Sequence, residues 1–321
     1  MPPDHRPLLT AARAAAHPTP THPSTPTPCH CPELTLAARP DATLVRHGAV
    51  VAKSHDPAVP AEELAPRLAT AAHPALRGVL LPRLPAPGGT PPGVSLWPYG
   101  TPVDPDHPED APWEAVATLL ARLHRTPPPH PLPPMRGPLK AVRALTRMRA
   151  AAPGHPLAPV VEAAWRTLPA WARGEAPDPG TRLTHGDLHL GQLVRHPEGD
   201  GDWLLIDVDD LGVGDPAWDL ARPAAWYAAG LLGPDVFGRF LGAYRAAGGP
   251  AVPPGTGEPG ECDPWPRLDV PARALTVQTA ALAVAKSSEQ GRALDEVERT
   301  MTDACARIAS LPPELGAAAP S

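Results

Sequence analysis

The chain has 321 residues, a formal net charge of −6 and a hydrophobic fraction of 42%. This length allows one large or two modest domains with a substantial core. The acidic balance argues against a nucleic-acid-binding protein, and no uninterrupted apolar run has the length that crosses a bilayer. We therefore expect no nucleic-acid or membrane partner. Because the first residues also lack the apolar core of a secretion signal, we expect a cytoplasmic location.

Both ends of the chain have compositions that predict little packed structure. Residues 1–30 are rich in Pro and Thr and predict a disordered or loosely docked tail, and residues 312–321 predict a flexible one. Cys29 and Cys31 form a Cys-His-Cys motif that suggests a metal site. Two cysteines one residue apart, without a second ligand pair nearby, are a weak metal signal. We interpret them as reduced thiols of no structural importance.

Residues 31–104 predict a small, mostly antiparallel sheet domain. A helix is predicted over 60–74, starting near Pro60 and disturbed by Pro66. Alternating apolar residues between turn residues predict five strands, at 33–41, 42–48, 49–55, 78–84 and 93–100.

Residues 105–311 predict a larger helical lobe. The segment 113–125 places its apolar residues at the spacing of a helical stripe. Further helices are predicted over 139–151, 158–173, 217–232, 236–248, 274–290 and 293–310. The chain therefore predicts an α+β fold in which a small antiparallel-sheet N-terminal lobe precedes a helical C-terminal lobe.

A polar segment interrupts the helical pattern. "THGDLHLGQLV" (184–194) places Gly186 before Asp187 and sets Gln192 five residues further on, and "WLLIDVDD" (203–210) ends an apolar run on carboxylates. Strand alternation predicts that Asp207 and Asp209 share one face. A carboxylate and an amide oxygen suit Mg²⁺, and the separate Asp187 carboxylate could accept a hydroxyl proton. These groups together predict phosphoryl transfer.

The segment "THGDLHLGQLV…LLIDVDDLGVGDPAWDLA" resembles the catalytic core of the aminoglycoside/choline-type phosphotransferases, which have a bilobal, protein-kinase-like fold. The resemblance is specific over 184–222 and topological over 33–311. It implies that residues 31–104 form the nucleotide-binding lobe and residues 105–311 the catalytic and acceptor-binding lobe. It implies ATP as the donor, a small-molecule hydroxyl as the acceptor and Asp187 as the catalytic residue. It also implies Gln192 and Asp207 as Mg²⁺ ligands. Gln192 stands where the family usually has Asn, as in a maltokinase-like branch, and offers the same carbonyl oxygen on a longer stem.

The resemblance also implies residues that hold the nucleotide phosphates. Lys53 is the only lysine before Lys140 and ends the third predicted strand. Kinase-like folds place the lysine that contacts the α- and β-phosphates at this position. Glu63 is the expected helical partner of Lys53, although an ordinary solvated glutamate in a first helical turn fits equally well. The turn at 39–43 lies where a phosphate loop is expected, but it is not Gly-rich.

By the same resemblance, residues 96–104 form the hinge that would bind the adenine edge. Trp97, Tyr99 and Gly100 are the candidate residues, and since Pro98 has no N–H, the backbone donor is expected from Tyr99 or Gly100. A plain Pro/Gly linker is the alternative. Three further residues are expected to support the site without taking part in the chemistry: His185, Asp209 and Asp219.

Two other functions stay open at this point. Gln192 and the missing Gly-rich loop would suit a nucleotide-binding pseudokinase that acts as a regulatory or scaffold module. His185, Asp187 and His189 would suit a metallohydrolase, although glycines on either side make this segment a poor helix. The sequence does not choose between an aminoglycoside, a sugar and an amino alcohol as the acceptor, and it leaves the oligomeric state open.

Overall fold

The computed structural model describes residues 5–17, 29–39, 42–252 and 263–311. Their contacts divide the chain into two compact units. The first unit comprises Met1–Ala111, Pro129–Leu132 and Leu190–Asp209, and the second comprises Pro112–Pro128, Pro133–His189 and Asp210–Ser321. This division differs from the predicted boundary after residue 104, because the first unit continues to Ala111 and also includes residues 129–132 and 190–209. The tail predicted at 312–321 lies outside the described residues.

An antiparallel sheet organises the first unit. Its strand order is β1-β2-β3-β4, formed by β1 (Glu33–Ala38), β2 (Thr43–His47), β3 (Val50–Ser54) and β4 (Val94–Pro98). The register pairs Ala52 with Val45 and Leu96, and it pairs Lys53 with Ser95. Because side chains alternate along a strand, Ala52, Val45 and Leu96 share one face of the sheet. Lys53 and Ser95 share the other face.

The apolar face of this sheet is covered by a helix where the sequence predicted a disordered or loosely docked tail. Helix α1 (Arg6–Ala16) buries Leu8, Ala11 and Ala12 against strand residues that include Val45 and Leu96. The prediction was wrong for this segment because alanine supplies most of the helix's apolar stripe, so the pattern is inconspicuous beside the Pro/Thr-rich residues that follow. Residues 18–28 of the predicted tail lie outside the described residues.

The strand predicted at 78–84 is absent from the structure. Leu80 and Leu84 form only isolated bridges there, and Pro82 removes a backbone donor that a ladder would need. The predicted helix forms as α2 (Ala61–Ala71) and continues through Pro66. A second small sheet of order β5-β7-β8 completes the unit, with β5 (Thr101–Pro102), β7 (Leu193–His196) and β8 (Asp202–Leu205).

Helices dominate the second unit, as predicted. A two-stranded sheet of β6 (Arg182–Thr184) and β9 (Gly212–Gly214) holds the two ends of the polar segment together. The long helix α8 packs against α4 and α6 and is buried along most of its length. None of the described helices is long and apolar enough to cross a membrane. The helices are α3 (Trp113–Arg125), α4 (Gly137–Ala151), α5 (Ala158–Arg166), α6 (Ala217–Ala229), α7 (Pro234–Ala246), α8 (Trp265–Gln290) and α9 (Glu296–Ala309).

The predicted α+β class with an antiparallel-sheet N-terminal part and a helical C-terminal part is therefore confirmed. Two helix ends differ from expectation by more than three residues. Helix α8 starts at Trp265 rather than at residue 274, and α5 stops at Arg166. Pro169, which cannot continue a helix ladder, follows that end closely.

Candidate active site

The β7–β8 hairpin brings Gln192 and Asp207 together. Its register pairs Leu193 with Leu205, and the N–H of Ile206 donates to the carbonyl of Gln192 at 2.9 Å. Gln192 and Asp207, the two predicted metal ligands, lie just beyond the Leu193–Leu205 pair. Gln192 Nε2 donates to Asp207 Oδ2 at 3.2 Å. The hairpin register therefore places an amide and a carboxylate side by side.

Strand alternation does not explain the orientation of Asp207, contrary to the prediction. Strand β8 stops at Leu205, and Val208–Asp210 forms a 3₁₀ turn. Asp207 has a φ of +63°, a left-handed conformation that residues with a Cβ seldom adopt. Such strain tends to persist where the surrounding structure holds a functional side chain in place. Here the contact with Gln192 is one of the interactions that hold the Asp207 carboxylate.

Lys53 binds both carboxylates of this turn. Its ammonium nitrogen lies 2.5 Å from Asp207 Oδ1 and 3.0 Å from Asp209 Oδ2, and the residue is only 6% exposed. Burial by itself would lower the pKa of Lys53, but the charges of Asp207 and Asp209 outweigh it and raise that pKa. Lys53 is therefore a buried, fully charged cation held by two anions.

A chain of hydrogen bonds extends from Asp209 into the sheet. His55 Nδ1 lies 2.9 Å from Asp209 Oδ2, and His55 Nε2 lies 2.7 Å from Ser95 Oγ. The indole N–H of Trp97 donates to the same hydroxyl at 2.7 Å. One assignment satisfies the whole chain: Trp97 donates to Ser95, Ser95 donates to His55, and His55 donates to Asp209. Sequence reasoning missed His55 and Ser95. Ser95 pairs with Lys53 across the sheet, and His55 lies two residues after Lys53.

The predicted ion pair between Lys53 and Glu63 is not formed. Glu63 instead lies 3.3 Å from the guanidinium of Arg67, one helical turn further along α2. Arg67 is almost fully buried, so it holds Glu63 at the helix, while Lys53 takes its anions from the β8 turn. The expectation of Glu63 as the partner of Lys53 is therefore corrected to Asp207 and Asp209.

The two predicted hinge donors differ in availability. The N–H of Tyr99 already donates to the carbonyl of Ala49 at 2.8 Å, and the carbonyl of Tyr99 lies 3.0 Å from His196 Nδ1. Gly100 has no room for a side chain, because a Cβ there would meet Val194 Cγ2 at 2.7 Å. Of the two residues, Gly100 is thus the one whose N–H remains a candidate for the adenine edge. The predicted turn at 39–43 includes residues 40–41, which lie outside the described residues.

The donor chemistry around Asp207 fits a magnesium ion. Gln192 and Asp207 supply an amide oxygen and a carboxylate, which are the hard oxygen ligands that Mg²⁺ takes. In the hydrogen bond described above the amide nitrogen faces Asp207, so coordination would require the amide to turn its oxygen inward. Asp209 Oδ1 is buried and accepts no hydrogen bond from the described residues, which leaves a further oxygen beside the pair.

In the second unit, Asp187 lies between two cations. Its carboxylate contacts the ammonium of Lys140, and Arg222 lies 3.6 Å away on the other oxygen. Lys140 also contacts Asp210 at 2.9 Å. Burial acts to lower the pKa of Lys140, but the charges of Asp210 and Asp187 raise it overall. Sequence reasoning missed Lys140 as a partner of Asp187. The one available signal was that lysine is rare in this chain.

Asp219 fixes the backbone that carries Asp187. Its carboxylate accepts the N–H of His185 at 2.7 Å and the N–H of Gly186 at 2.8 Å, which fits the supporting role expected of Asp219. Gly186 has a φ of +84°, and a Cβ there would meet the carbonyl oxygen of Asp210 at 2.4 Å. Only glycine fits at this position, and the loop is thereby locked immediately before Asp187.

Neither histidine beside Asp187 belongs to a metal cluster. Within the described parts of the chain, the group that could hold a metal ion lies elsewhere and does not include His185 or His189. His185 is fully buried, and burial lowers the pKa of His189 to about 4. The arrangement therefore gives no support to the metallohydrolase alternative.

The low pKa of His189 predicts a loss of stability in mild acid. The unfolded chain protonates His189 near its ordinary pKa of about 6.5, whereas the folded protein resists protonation until about pH 4. The unfolded state therefore binds more protons between these values, and the free energy of unfolding falls by up to about 3 kcal/mol as the pH drops through this window. Urea unfolding at a series of pH values measures this fall.

His189→Gln should flatten that pH profile, since it removes the titrating group. The exposed His107 gives a matched control, because His107→Gln should leave the acidic loss in place. Parallel profiles for wild type and His189→Gln would contradict the assignment.

Three solved structures that match this chain are two choline kinases and a choline/ethanolamine kinase family protein. A choline/ethanolamine kinase family protein from Mesorhizobium loti matches with a TM-score of 0.53 and 15% identity, covering 91% of this chain and 90% of its own. A choline kinase from Streptococcus pneumoniae matches with a TM-score of 0.53 and 15% identity, over 84% and 89% of the two chains. A choline kinase from Cryptosporidium parvum Iowa II matches with a TM-score of 0.59 and 10% identity, over 87% and 89%. These matches confirm the kinase-like fold.

The family model of the phosphotransferase enzyme family matches residues 38–265. The match spans well over half of the chain, and the protein belongs to this family. No curated protein sequence matches the chain. The prediction of a phosphotransferase with a kinase-like fold is thereby confirmed.

Proposed function

We propose that the protein transfers the γ-phosphoryl group of ATP to a hydroxyl group of a small molecule. The observation that carries this proposal is the contact set of Lys53, Asp207 and Gln192, which joins an interior strand to the end of a hairpin. Family membership supports phosphoryl transfer in general, and this contact set supports a nucleotide polyphosphate as its donor.

Lys53 would hold the phosphates of the donor. Its two carboxylate partners satisfy a buried ammonium that would otherwise be costly. Polyphosphate oxygens are alternative anions for the same group. Gln192 and Asp207 would hold Mg²⁺, which neutralises charge on the donor phosphates when bound. Asp209 would keep Lys53 in position, since it also bonds to His55 in the sheet.

Asp187 would accept the proton of the acceptor hydroxyl. A bond forms between the hydroxyl oxygen and the γ-phosphorus, the bond from that phosphorus to the β–γ bridging oxygen breaks, and ADP leaves. The contacts with Lys140 and Arg222 fix the carboxylate of Asp187, and Asp219 fixes the loop before it. Orientation of this kind is a main source of rate acceleration in phosphoryl transfer.

For the acceptor we propose the amino alcohol class as the first to test. The fold matches are named as choline and ethanolamine kinases, so a small hydroxylated amine is the acceptor of those proteins. Aminoglycosides and sugars are the two other classes in the proposal. The experiment below separates the three.

The purified protein should consume ATP in the presence of Mg²⁺ only when a suitable acceptor is added. Labelled ATP is incubated with choline, ethanolamine and related amino alcohols, then with aminoglycosides and sugars, and phosphorylated products are identified by mass spectrometry. EDTA should abolish turnover with every active acceptor. Turnover restricted to one class assigns the acceptor, while ATP binding without transfer to any acceptor contradicts the proposal.

A nucleotide-binding pseudokinase is the second candidate. The feature that motivates it is Gln192, which stands where the family usually has Asn. Gln192→Asn separates the two functions, because it restores the residue usual in the family while keeping the amide. A large gain in transfer activity in this variant would support a catalytically impaired parent. Measurable wild-type activity that stays equal or falls in the variant would support an active kinase.

A further inference from the structure

We propose that the N-terminal segment contains a structural zinc site with two cysteine and two histidine ligands. The candidate ligands are His17, Cys29, Cys31 and His47, whose ligand atoms all lie within 4.8 Å of one another. This site is separate from the phosphotransferase function, and sequence reasoning missed it because its histidines lie twelve residues before Cys29 and sixteen after Cys31.

The distances between the ligand atoms suit tetrahedral zinc. Zinc bonds of about 2.0 Å to nitrogen and 2.3 Å to sulfur place the ligand atoms roughly 3.4–3.8 Å apart in a tetrahedron. Cys29 Sγ lies 3.4 Å from His47 Nε2, within this range, and 2.9 Å from His17 Nε2, which is shorter than the range. Cys31 Sγ lies 3.5 Å from His17 Nε2. The four groups therefore already point at a common centre.

Two outer contacts prepare these groups for a metal. His47 Nδ1 lies 3.0 Å from Glu33 Oε1, which directs the other ring nitrogen, Nε2, towards the cysteines. A carboxylate behind a metal-binding histidine is a common feature of zinc sites, since it fixes the ring and its tautomer. The N–H of Cys31 donates to Cys29 Sγ at 3.3 Å, which orients that sulfur.

The ligands come from three places that α1 and the sheet bring together. His17 follows the last residue of α1, the two cysteines precede β1, and His47 ends β2 on the face that α1 covers. The turn after His47 leaves room for Cys31, because a Cβ on Gly48 would lie 3.2 Å from its sulfur. Four protein ligands leave no open position, which is typical of structural rather than catalytic zinc. The metal would fasten α1 to the sheet.

Zinc is the metal that this ligand set favours. Two thiolates and two imidazoles in a tetrahedral arrangement are typical of Zn²⁺, whereas Mg²⁺ and Ca²⁺ require oxygen ligands. His30 lies between the two cysteines in the sequence but does not belong to the group. It therefore provides a control at the same place in the chain.

The full-length chain, purified without a metal-binding tag and under reducing conditions, should contain one zinc ion per molecule. Cys29→Ser/Cys31→Ser should lose at least about nine-tenths of that zinc, because removal of two thiolates leaves too few ligands. His30→Ala and Cys305→Ala should keep it. Metal content is measured by inductively coupled plasma mass spectrometry, and circular dichroism verifies that each variant is folded.

A second readout uses the unaltered sequence, so it does not depend on the folding of a variant. Apo protein titrated with Co²⁺ should develop thiolate charge-transfer bands and the d–d bands of tetrahedral cobalt, and Zn²⁺ should displace them. Zinc-free protein that gives no such spectrum, or zinc content unchanged in Cys29→Ser/Cys31→Ser, would overturn the proposal. A Cys29–Cys31 disulfide that persists in the reduced preparation would overturn it as well. Removal of zinc by EDTA should lower the thermal midpoint of the wild-type protein and leave that of the double variant unchanged.

Discussion

Asp187→Asn should lower kcat for phosphoryl transfer by about 10²–10⁴-fold, the range expected for loss of a positioned proton acceptor. The amide keeps the shape of the side chain but cannot take the proton of the acceptor hydroxyl. Lys140 would also lose one of its two anionic partners, although Asp210 remains to hold it. The proposed ATP contacts in the first unit should change little, because Lys53 and its carboxylates are untouched. The expected signature is therefore a large fall in kcat with a nearly constant KM for ATP.

Asp303→Asn is the matched control for this substitution. It makes the same chemical change and the same change in net charge on an exposed position of α9. Its kcat should equal that of the wild type. If Asp187→Asn retained most of the wild-type kcat with the best acceptor, Asp187 would not be the proton acceptor and its cationic neighbours would have to be explained as structural.

Sequence reasoning identified the candidate site residues that lie close to each other in the sequence. Asp187, Gln192 and Asp207 lie within one short motif, and the β7–β8 hairpin that joins the last two is a local structure. Lys53 stood out because lysine is rare in this chain. Ala52 lies on the apolar face of the sheet, so side-chain alternation along β3 predicts that Lys53 lies on the opposite face.

Contacts between distant segments escaped sequence reasoning. Nothing in the sequence near Lys140 indicates that α4 delivers its ammonium to Asp187, because the contact depends on how helices pack in the second unit. The pairing of His55 with Ser95 depends in the same way on the register of β3 and β4. Helix α1 was missed because its small apolar residues carry a weak periodic signal. The position of His17, which follows the end of α1, could therefore not be predicted either.

Asp219→Asn should lower the free energy of unfolding by about 3 kcal/mol, as expected when one member of a buried, hydrogen-bonded charge network is neutralised. Asp219 is fully buried. One of its oxygens accepts both the N–H of His185 and a bond from His124 Nε2 at 2.9 Å, and the other accepts the N–H of Gly186. An amide must place its NH₂ group against at least one of these donors. Urea unfolding measures the loss, and hydrogen exchange at His185 and Gly186 locates it.

The ionisation of Asp219 keeps this prediction separate from the acid sensitivity of His189. Burial alone would raise the pKa of Asp219, but the hydrogen bond and the charge of His124 outweigh it and lower that pKa below its ordinary value. The stability that Asp219 contributes is therefore present above pH 3.8, the ordinary value, and is lost only as the pH falls through the lower, folded value. A deficit in Asp219→Asn at neutral pH thus reports the broken network and not a titration.

Tyr244→Phe separates the contribution of the Asp219 carboxylate from that of the hydrogen bonds between Tyr244, His124 and Ala251. The hydroxyl of Tyr244 accepts the N–H of Ala251 at 3.1 Å and lies 2.8 Å from His124 Nδ1. Its removal therefore weakens the outer part of the network while leaving every donor to Asp219 in place. This variant should lose about 1–2 kcal/mol and keep the His185 and Gly186 amides protected from exchange. Asp219→Asn should expose both amides and reduce kcat, since the loop that carries Asp187 would no longer be fixed. Protected amides in Asp219→Asn, or exposed ones in Tyr244→Phe, would mean that the loop is held by contacts other than the buried carboxylate.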